Sequence, residues 1–459
     1  ASALNRRLDR PHFGTFATTP RRLAAGRREA AEDRTAFLEL AGTVDESWKD
    51  LSYAIGNVLQ CWEYHGQADS ILGYPAYDDP TTRTVVEHLT SLRPTSQQLN
   101  EFTVDTDQSV AVVGLPEFTE LERSILPAEY DTYSLLTDAS FDYPAFNIFR
   151  SPSAIVDAVV DTIDDDSADN VAVVLDSSSQ YSPLIESALE AAGIPYYGGP
   201  GFIDDPDVRA LLGLLRVAYR GSETTISDVA PILTRLGTDV DIEHREKRLA
   251  AIDLPTTEWI ADVCETIDER TFGEVLRAYE ERADTTLDRL REELEALGLH
   301  DTPITESRVS DLSFYLDSYE VPIDRENEGV LLADAKAAGY VDRSAVFFLG
   351  LDEGWTNSAP QRPWVDTEAQ FDRYIRRFQR LIQSGDDQYY LVEDTAGGQP
   401  VTPCLYFEEL LDETFERFSD LESIRYERTV DGQRDGFTKS PLEPPVGPEP
   451  VETISQTSL

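Results

Sequence analysis

The sequence predicts an α/β fold in which buried parallel strands alternate with helices. Two unbroken apolar runs, Val171–Leu175 and Ala345–Leu349, have the composition of central strands that are covered on both faces. Helical patterns follow both runs, at 183–192 and at 367–383. Such alternation is typical of a parallel sheet, and the helical block between the two runs reads as an insertion.

Composition limits the class of protein but not its ligands. The chain has 459 residues, 41% of them hydrophobic, and a net charge of −48 from 39 basic and 87 acidic side chains. Only four of the basic residues are lysines, which favours a halophilic protein adapted to molar salt. The screening length there is about 3 Å, so the acidic surface neither predicts nor excludes a nucleic-acid partner.

The cysteines and the apolar segments predict a cytoplasmic protein. Cys61, Cys264 and Cys404 are isolated from one another, as expected of reduced core residues. No apolar run has the length of a membrane span, and no signal peptide is visible, so we predict no membrane partner. The chain starts at Ala1 and contains no methionine, so we expect it to be a piece of a longer protein.

Residues 1–108 are predicted to be mostly helical. Leu23–Leu40 and Trp48–Tyr64 carry apolar residues at helical spacing, and Thr19 and Pro20 are typical of an N-cap and a first helical position. A buried strand and turn are predicted over Ser109–Phe118, and a helix begins near Thr119.

The next elements lie between residues 170 and 320. After Val171–Leu175 the sequence predicts a helix that ends at Gly193, a short extended segment, a Gly-rich loop at Gly198–Phe202 and a helix over Asp205–Tyr219. Residues 221–320 are predicted to be helical, with one long helix over Arg270–Leu297 that Gly298 stops.

The last elements form the second half of the predicted sheet. Strands are expected at Val330–Ala333, Val346–Leu349 and Tyr389–Val392, all beside Val171–Leu175. From Val430 onward, closely spaced prolines predict a linker.

Two stretches resemble superfamily 1 helicases of the UvrD/RecB type. The run V-A-V-V-L-D-S-S-S-Q-Y-S-x-L-I-E-S-A-L-E-A-A-G-I-P-Y-Y-G-G-x-G-F from Val171 is similar to the start of their second motor domain. The run V-L-L-A-D-A-K-A-A-G-Y-V-D-x-x-x-V-F-F-L-G-L-D-E-G from Val330 resembles their fifth motif, in the degenerate form of AddB-like helicase–nuclease subunits of haloarchaeal type. One departure is Asp176, where the family has an arginine.

The resemblance implies RecA-like (P-loop NTPase-like) lobes with the following boundaries. It assigns residues 1–108 and 109–169 to a truncated first lobe, 170–220 and 321–415 to the second lobe, 221–320 to the insertion, and 416–459 to a linker leading to a PD-(D/E)xK nuclease domain beyond the chain.

The residues needed for ATP hydrolysis are missing. No lysine follows a glycine in a phosphate-binding loop, Gly114-Leu115 stand where the family has its Mg²⁺-binding Asp-Glu, and Ser384 stands near the place of the trigger arginine. We therefore predict no catalytic, nucleotide-binding or metal-binding residue and no cofactor. A nuclease motif is possible only at Asp334-Ala335-Lys336, and no partner aspartate is evident at the end of a preceding strand.

The resemblance implies that loops at the carboxyl ends of the strands contact single-stranded DNA. The candidate residues are Thr18, Arg21, Arg22, Ser177, Ser178, Gln180 and Lys336. The predicted function is a non-ATPase, DNA-binding scaffold of a DNA-repair helicase–nuclease, which works with DNA and with a helicase or nuclease partner subunit. A scaffold that binds only proteins is the alternative, and an unrelated nucleotide- or sugar-binding α/β enzyme is a third.

Overall fold

The computed structural model describes most of the chain. The described residues are 17–25, 32–44, 46–105, 109–136, 141, 143–163, 165–198, 205–219, 224–238, 247–251, 255–319, 329–358 and 361–426. They divide into two compact units: unit 1 comprises the described residues within 1–134, 199–325 and 362–365, and unit 2 comprises those within 135–198, 326–361 and 366–459.

The helices of the described residues are numbered in chain order. They are α1 Pro20–Ala25, α2 Glu32–Leu40, α3 Trp48–His65, α4 Pro80–Leu92, α5 Thr95–Glu101, α6 Glu120–Arg123, α7 Pro152–Val160, α8 Tyr181–Ala192, α9 Pro206–Ala218, α10 Ile226–Arg235, α11 Pro255–Thr266, α12 Phe272–Ala283, α13 Asp288–Ala296, α14 Glu306–Ser318, α15 Thr367–Ile382 and α16 Tyr406–Leu411.

The strands of the described residues are numbered in the same way. They are β1 Ala111–Val113, β2 Asp131–Tyr133, β3 Phe146–Phe149, β4 Val171–Leu175, β5 Tyr196–Gly198, β6 Val330–Asp334, β7 Ala345–Leu349, β8 Asp387–Glu393, β9 Thr395–Ala396, β10 Gln399–Pro400 and β11 Ser423–Arg425.

Unit 2 is built on a seven-stranded sheet with the order β11-β3-β8-β7-β4-β6-β5. Every pair of neighbouring strands is parallel. The four strands predicted to lie side by side are therefore in one sheet, and the prediction of an α/β fold with a parallel sheet is confirmed. This architecture is compatible with a RecA-like fold.

Helices cover both faces of the sheet, which explains the unbroken apolar runs of β4 and β7. Val174 and Phe348 belong to a buried cluster with Phe378 of α15, while Val173 and Phe347 belong to a second cluster with Ile185 of α8. Successive side chains of a strand point to opposite faces, so a strand buried on both sides needs apolar residues at every position.

Unit 1 is mainly helical, with one hydrophobic cluster. The cluster contains residues of α2 and α3 together with residues of α9 to α14. Phe37 of α2, for example, lies 5.4 Å from Tyr315 of α14 between ring centroids. The predicted boundaries differ here, because the amino-terminal helices and the helical insertion share a core instead of forming separate bodies.

The predicted range 109–169 is also divided. Its first part forms β1 and β2, a two-stranded parallel sheet in unit 1. Its second part contributes β3 and α7 to unit 2, where β3 pairs with β8. The expected buried strand near Ser109 is only three residues long, and only its central residue, Val112, is buried.

The single helix predicted over Arg270–Leu297 is wrong, because the chain breaks after α12. Asp284 adopts a left-handed conformation with φ 52°, and Gly298 ends α13 with φ 67°, as expected. Glu280 stabilises the break: its Oε1 accepts the amide of Leu287 at 2.7 Å and Nη2 of Arg291 at 2.7 Å. The apolar stripe continued across the break, so periodicity alone did not reveal it.

Other predicted elements are partly outside the described residues. The helix over Leu23–Leu40 appears as α1 and α2, and residues 26–31 between them are not described. The Gly-rich loop beyond Gly198 and the linker from Val430 also lie outside the described residues. Among the helices that are described, none combines the length and the apolar character that crossing a membrane requires.

Candidate functional site at the carboxyl edge of the sheet

The register of the sheet brings acidic residues together at the carboxyl ends of its central strands. Leu175 of β4 pairs with Asp334 of β6, and Leu349 of β7 pairs with Leu391 of β8. Asp176 and Asp352 follow β4 and β7, Glu393 is the last residue of β8, and Lys336 lies just beyond Asp334. We call Asp176, Asp334, Lys336, Asp352 and Glu393 the carboxyl-edge cluster. In open α/β sheets this edge is the usual place for a ligand.

Asp176 is the buried centre of this cluster. Its side chain is only 8% exposed, and its Oδ2 lies 3.1 Å from Nζ of Lys336. Its Oδ1 accepts the amide of Ser178 at 3.1 Å and the hydroxyl of Ser178 at 2.8 Å. The carboxylate thus holds the loop after β4 and an ammonium group on the neighbouring loop at the same time.

Asp334, at the end of β6, also connects its own loop to the loop after β4. Its Oδ1 accepts the amide of Ser177 at 3.1 Å, and its Oδ2 accepts the amide of Ala337 at 2.9 Å. The loops after β4 and β6 are therefore joined by two carboxylates, one from each strand.

Two further carboxyl groups lie beside this pair. Asp352 Oδ1 accepts the amide of Gly354 at 2.9 Å, and Glu393 Oε2 accepts the hydroxyl of Tyr181 at 3.0 Å. A Cβ atom at Gly354 would lie 2.9 Å from Asp176 Oδ2 and 2.9 Å from Asp352 Oδ1. Gly354 consequently fits between two carboxylates where a larger residue does not.

Burial raises the pKa values of the Asp352 and Glu393 carboxyl groups. It raises the pKa of the Asp352 carboxyl, and the nearby charge of Asp176 acts in the same direction. Burial also raises the pKa of Glu393; the hydrogen bond from Tyr181 opposes this effect, and the charge of Asp352 adds to it. The carboxyl-edge cluster thus places four carboxyl groups around one cation, Lys336, and the protonated form is favoured at two of them.

Helix α15 holds the turn that carries Lys336. Arg380 donates from Nε to the carbonyl of Gly339 at 2.7 Å, and Arg377 donates from Nε to the carbonyl of Ala338 at 3.2 Å. Both arginines thus bind backbone carbonyls of the loop after β6.

The candidate DNA-binding residues fall in two places. Ser177, Ser178, Gln180 and Lys336 lie in unit 2, on the loops after β4 and β6, with the first three exposed. Thr18, Arg21 and Arg22 lie at α1 in unit 1, where Thr18 and Arg22 are exposed.

Arg21 is engaged by carboxylates. It forms ion pairs with Glu63 and with Glu122, and its Nε lies 3.3 Å from Glu122 Oε1. Its positive charge is therefore partly neutralised within unit 1. Thr19 acts at the start of α1 as predicted, because its hydroxyl oxygen accepts the amide of Arg22 at 3.3 Å.

The nuclease motif needs one correction. Asp176 follows β4, which pairs with β6, so a carboxylate does lie beside Asp334-Ala335-Lys336. All four oxygens of Asp176 and Asp334 nevertheless accept N–H or O–H donors of the protein. In the part of the chain that the structure describes, no three His, Cys, Asp or Glu side chains are arranged to hold a metal ion.

Comparison with known proteins does not identify a family. No family model matches this chain, and no curated protein matches it.

Proposed function

We propose that this chain is a helicase-like scaffold that binds single-stranded DNA without hydrolysing ATP. In this proposal it is a cytoplasmic subunit of a DNA-repair helicase–nuclease of the AddB-like type, and it guides a strand toward a nuclease domain. The observation that carries the proposal is the parallel order of β8, β7, β4 and β6. Strands β4 and β6 are neighbours although a helical insertion that belongs to unit 1 separates them in the sequence.

The loops at the carboxyl edge carry polar side chains that can contact a nucleic acid without a large positive charge. The exposed side chains of Ser177 and Gln180 offer a hydroxyl and an amide group that can bind phosphate or sugar oxygens, and the hydroxyl of Ser178 can do so when it leaves Asp176. Such contacts suit a protein in molar salt, because counterion release contributes little there. Arg22 adds an exposed cation in unit 1.

The test compares two triple variants, each of which loses three positively charged side chains. In the first, Arg21, Arg22 and Lys336 become Gln; we choose Gln because Arg21 and Lys336 face carboxylates that Glu would repel. The control changes Lys49, Arg83 and Arg289 to Gln; Lys49 is exposed, and the other two side chains are more than half exposed.

The readout is the affinity for a fluorescent single-stranded oligonucleotide at several KCl concentrations. We expect the first variant to bind at least about tenfold more weakly, and the slope of log K against log [KCl] to fall by about 0.7 for each phosphate that the protein no longer neutralises. The control should bind like the parent. An equal decrease in affinity in both variants would mean that binding reflects overall charge, and the assignment of these three residues to DNA binding would be wrong.

One observation favours a second candidate, a scaffold that binds only proteins. Arg21 and Lys336, two of the three candidate cations, are already paired with carboxylates. A parent protein that fails to bind single-stranded DNA at every salt concentration would make this second function the better one.

A further inference from the structure

Four donors that a DNA phosphate could use on the loops after β4 and β6 are already bound to carboxylates of the protein. The amide of Ser177 donates to Asp334, and the amide and hydroxyl of Ser178 donate to Asp176. Nζ of Lys336 also lies 3.1 Å from Asp176. Three of these four donors thus bind a single carboxylate.

The surroundings of Asp176 are those of a bound oxyanion. An ammonium group, a hydroxyl and a backbone amide converge on its two oxygens, and these are the donor types that bind phosphate groups in proteins. Asp176 is almost fully buried, so its charge is poorly screened by solvent. A phosphate approaching Lys336 must therefore displace or tolerate this carboxylate.

We infer that Asp176 is an autoinhibitory group that competes with DNA phosphate for Lys336 and Ser178. This inference rests on the proposed DNA-binding function. The carboxylate neutralises Lys336, and the Asp352 carboxylate on the other side of Gly354 adds repulsion toward an incoming anion. Single-stranded DNA then gains from this loop only when the contact between Asp176 and Lys336 opens.

The test is Asp176→Asn, which removes the charge and preserves the shape of the side chain. The Asn Oδ1 can still accept both donors of Ser178, so the loop after β4 keeps its hydrogen bonds. We expect about tenfold tighter binding of single-stranded DNA, the size of one hydrogen bond to a charged group. We also expect the slope of log K against log [KCl] to steepen by about 0.7, because one more phosphate is neutralised.

Asp394→Asn is the matched control at the same edge of the sheet. Asp394 also follows a strand, its side chain is 7% exposed, and its Oδ2 lies 2.7 Å from Nη2 of Arg425. The change removes the same charge and releases a cation, but it does so beyond β8, away from Lys336. We expect neither the affinity nor the slope to change.

A second readout reports on the ion pair itself and needs no DNA. Under brief labelling with an amine-reactive reagent, Lys336 should react several times faster in Asp176→Asn than in the parent, relative to the exposed Lys49. Unchanged Lys336 reactivity in a folded variant would overturn the inference, because the ion pair would then not mask the amine.

The two proposals fail in different ways. If the parent binds DNA and Asp176→Asn binds no more tightly, the autoinhibitory role is wrong and the DNA-binding function stands. If the parent does not bind but Asp176→Asn does, the inference is supported in its strongest form. If neither protein binds, DNA binding is wrong, and the inference that depends on it is overturned as well.

Discussion

Arg34 of α2 and Glu293 of α13 form a buried ion pair, although the two residues are 259 positions apart in the sequence. The guanidinium of Arg34 donates to Glu293 Oε1 from Nε at 3.1 Å and from Nη2 at 2.8 Å, and the hydroxyl of Tyr315 donates to the same oxygen. The two charged side chains are only 14% and 5% exposed. This ion pair fixes α2 against α13 and α14, so the amino-terminal helices and the insertion form one unit.

Removing the charge of Glu293 should destabilise unit 1 strongly. In Glu293→Gln the guanidinium of Arg34 remains buried without a charged partner, and breaking a buried pair in this way costs about 3 kcal/mol. Glu292→Gln on the same helix is the control: its side chain is 65% exposed and pairs with Arg289, so we expect less than about 0.5 kcal/mol. Chemical denaturation measures both, and similar decreases in stability would contradict the assigned role of Glu293.

The carboxyl-edge cluster makes the folded protein less stable as the pH rises, which is the reverse of the usual effect of carboxyl groups. The pKa of Asp352 lies above its usual 3.8 because of burial and the charges of Asp176 and Glu353, and Lys336 only partly opposes them. The pKa of Glu393 is also raised. The folded protein then binds more protons than the unfolded chain between the usual and the raised pKa values. Stability from these groups is therefore present at low pH and is lost as the pH rises through the raised values.

Asp352→Asn should relieve this destabilisation at high pH. The Asn side chain can still accept the amide of Gly354, but it carries no charge beside Asp176. At pH 8 we expect the variant to be more stable than the parent. The difference should shrink as the pH falls toward the usual pKa of an aspartate, because the parent then takes up a proton at Asp352. Denaturation at fixed KCl across this range is the measurement, and a variant that is less stable at every pH would contradict the prediction.

The sequence was sufficient to predict the central strands, and the reason is physical. Val171–Leu175 and Ala345–Leu349 are buried at every residue. The residues that point to either face of the sheet are therefore apolar, and the sequence shows an unbroken apolar run. Strand β3 was missed because Phe146–Phe149 is short and contains Asn147. Its polar side chain is accommodated by a hydrogen bond from Nδ2 to the carbonyl of Tyr390, a partner 243 residues away.

The candidate site could be predicted only in part. The loops after β4 and β6 were identified, and Asp176 was recognised as an unusual residue. Its pairing with Lys336 depends on β4 lying directly beside β6, and a single sequence does not reveal the order of the strands in a sheet. The positions of Asp352 and Glu393 in the cluster also depend on the order of the strands. A carboxylate just after or at the end of each buried strand was nevertheless a usable signal.

Gly329 should be intolerant of any side chain. It adopts φ 87°, and a Cβ atom would lie 2.0 Å from the carbonyl oxygen of Pro195, which belongs to the backbone and cannot move aside easily. We expect Gly329→Ala to cost at least about 2 kcal/mol. Gly56→Ala, inside α3 with nothing within 4 Å of the new atom, should instead stabilise by about 0.5–1 kcal/mol. Denaturation midpoints that move in the same direction would contradict this account.

ATP should not bind this chain. Gly114 and Leu115 lead into a short 3₁₀ turn, and the hydroxyl of Ser384 is buried and accepts the amide of Val341 at 3.1 Å. Neither position offers a group for Mg²⁺ or for a γ-phosphate. A nucleotide present at about 100 times its Kd would stabilise the protein by about 2.7 kcal/mol. We expect no shift of Tm with Mg-ATP beyond that caused by the same concentration of inorganic triphosphate, and a specific shift would contradict the prediction.

Arg377 and Arg380 should control the order of the turn that presents Lys336. Their guanidinium groups bind the carbonyls of Ala338 and Gly339, so this turn is held from α15 in addition to its own bonds to Asp334. Replacing both arginines with Gln removes the donors from these carbonyls, which loosens the backbone locally. We expect amide hydrogen exchange to accelerate at least about tenfold over residues 337–340, while β7 stays protected.

Arg373→Gln, one turn earlier on the same helix, is the control for this experiment and should leave the exchange rates of 337–340 unchanged. If the double variant exchanges like the parent, the bonds from the amides of Ala337 and Ala338 to Asp334 are sufficient to hold the turn. If it exchanges faster and Lys336 also becomes more reactive toward an amine reagent, the arginines of α15 keep Lys336 against Asp176. In that case the charge at the carboxyl edge is set by a helix that contributes no residue to the cluster.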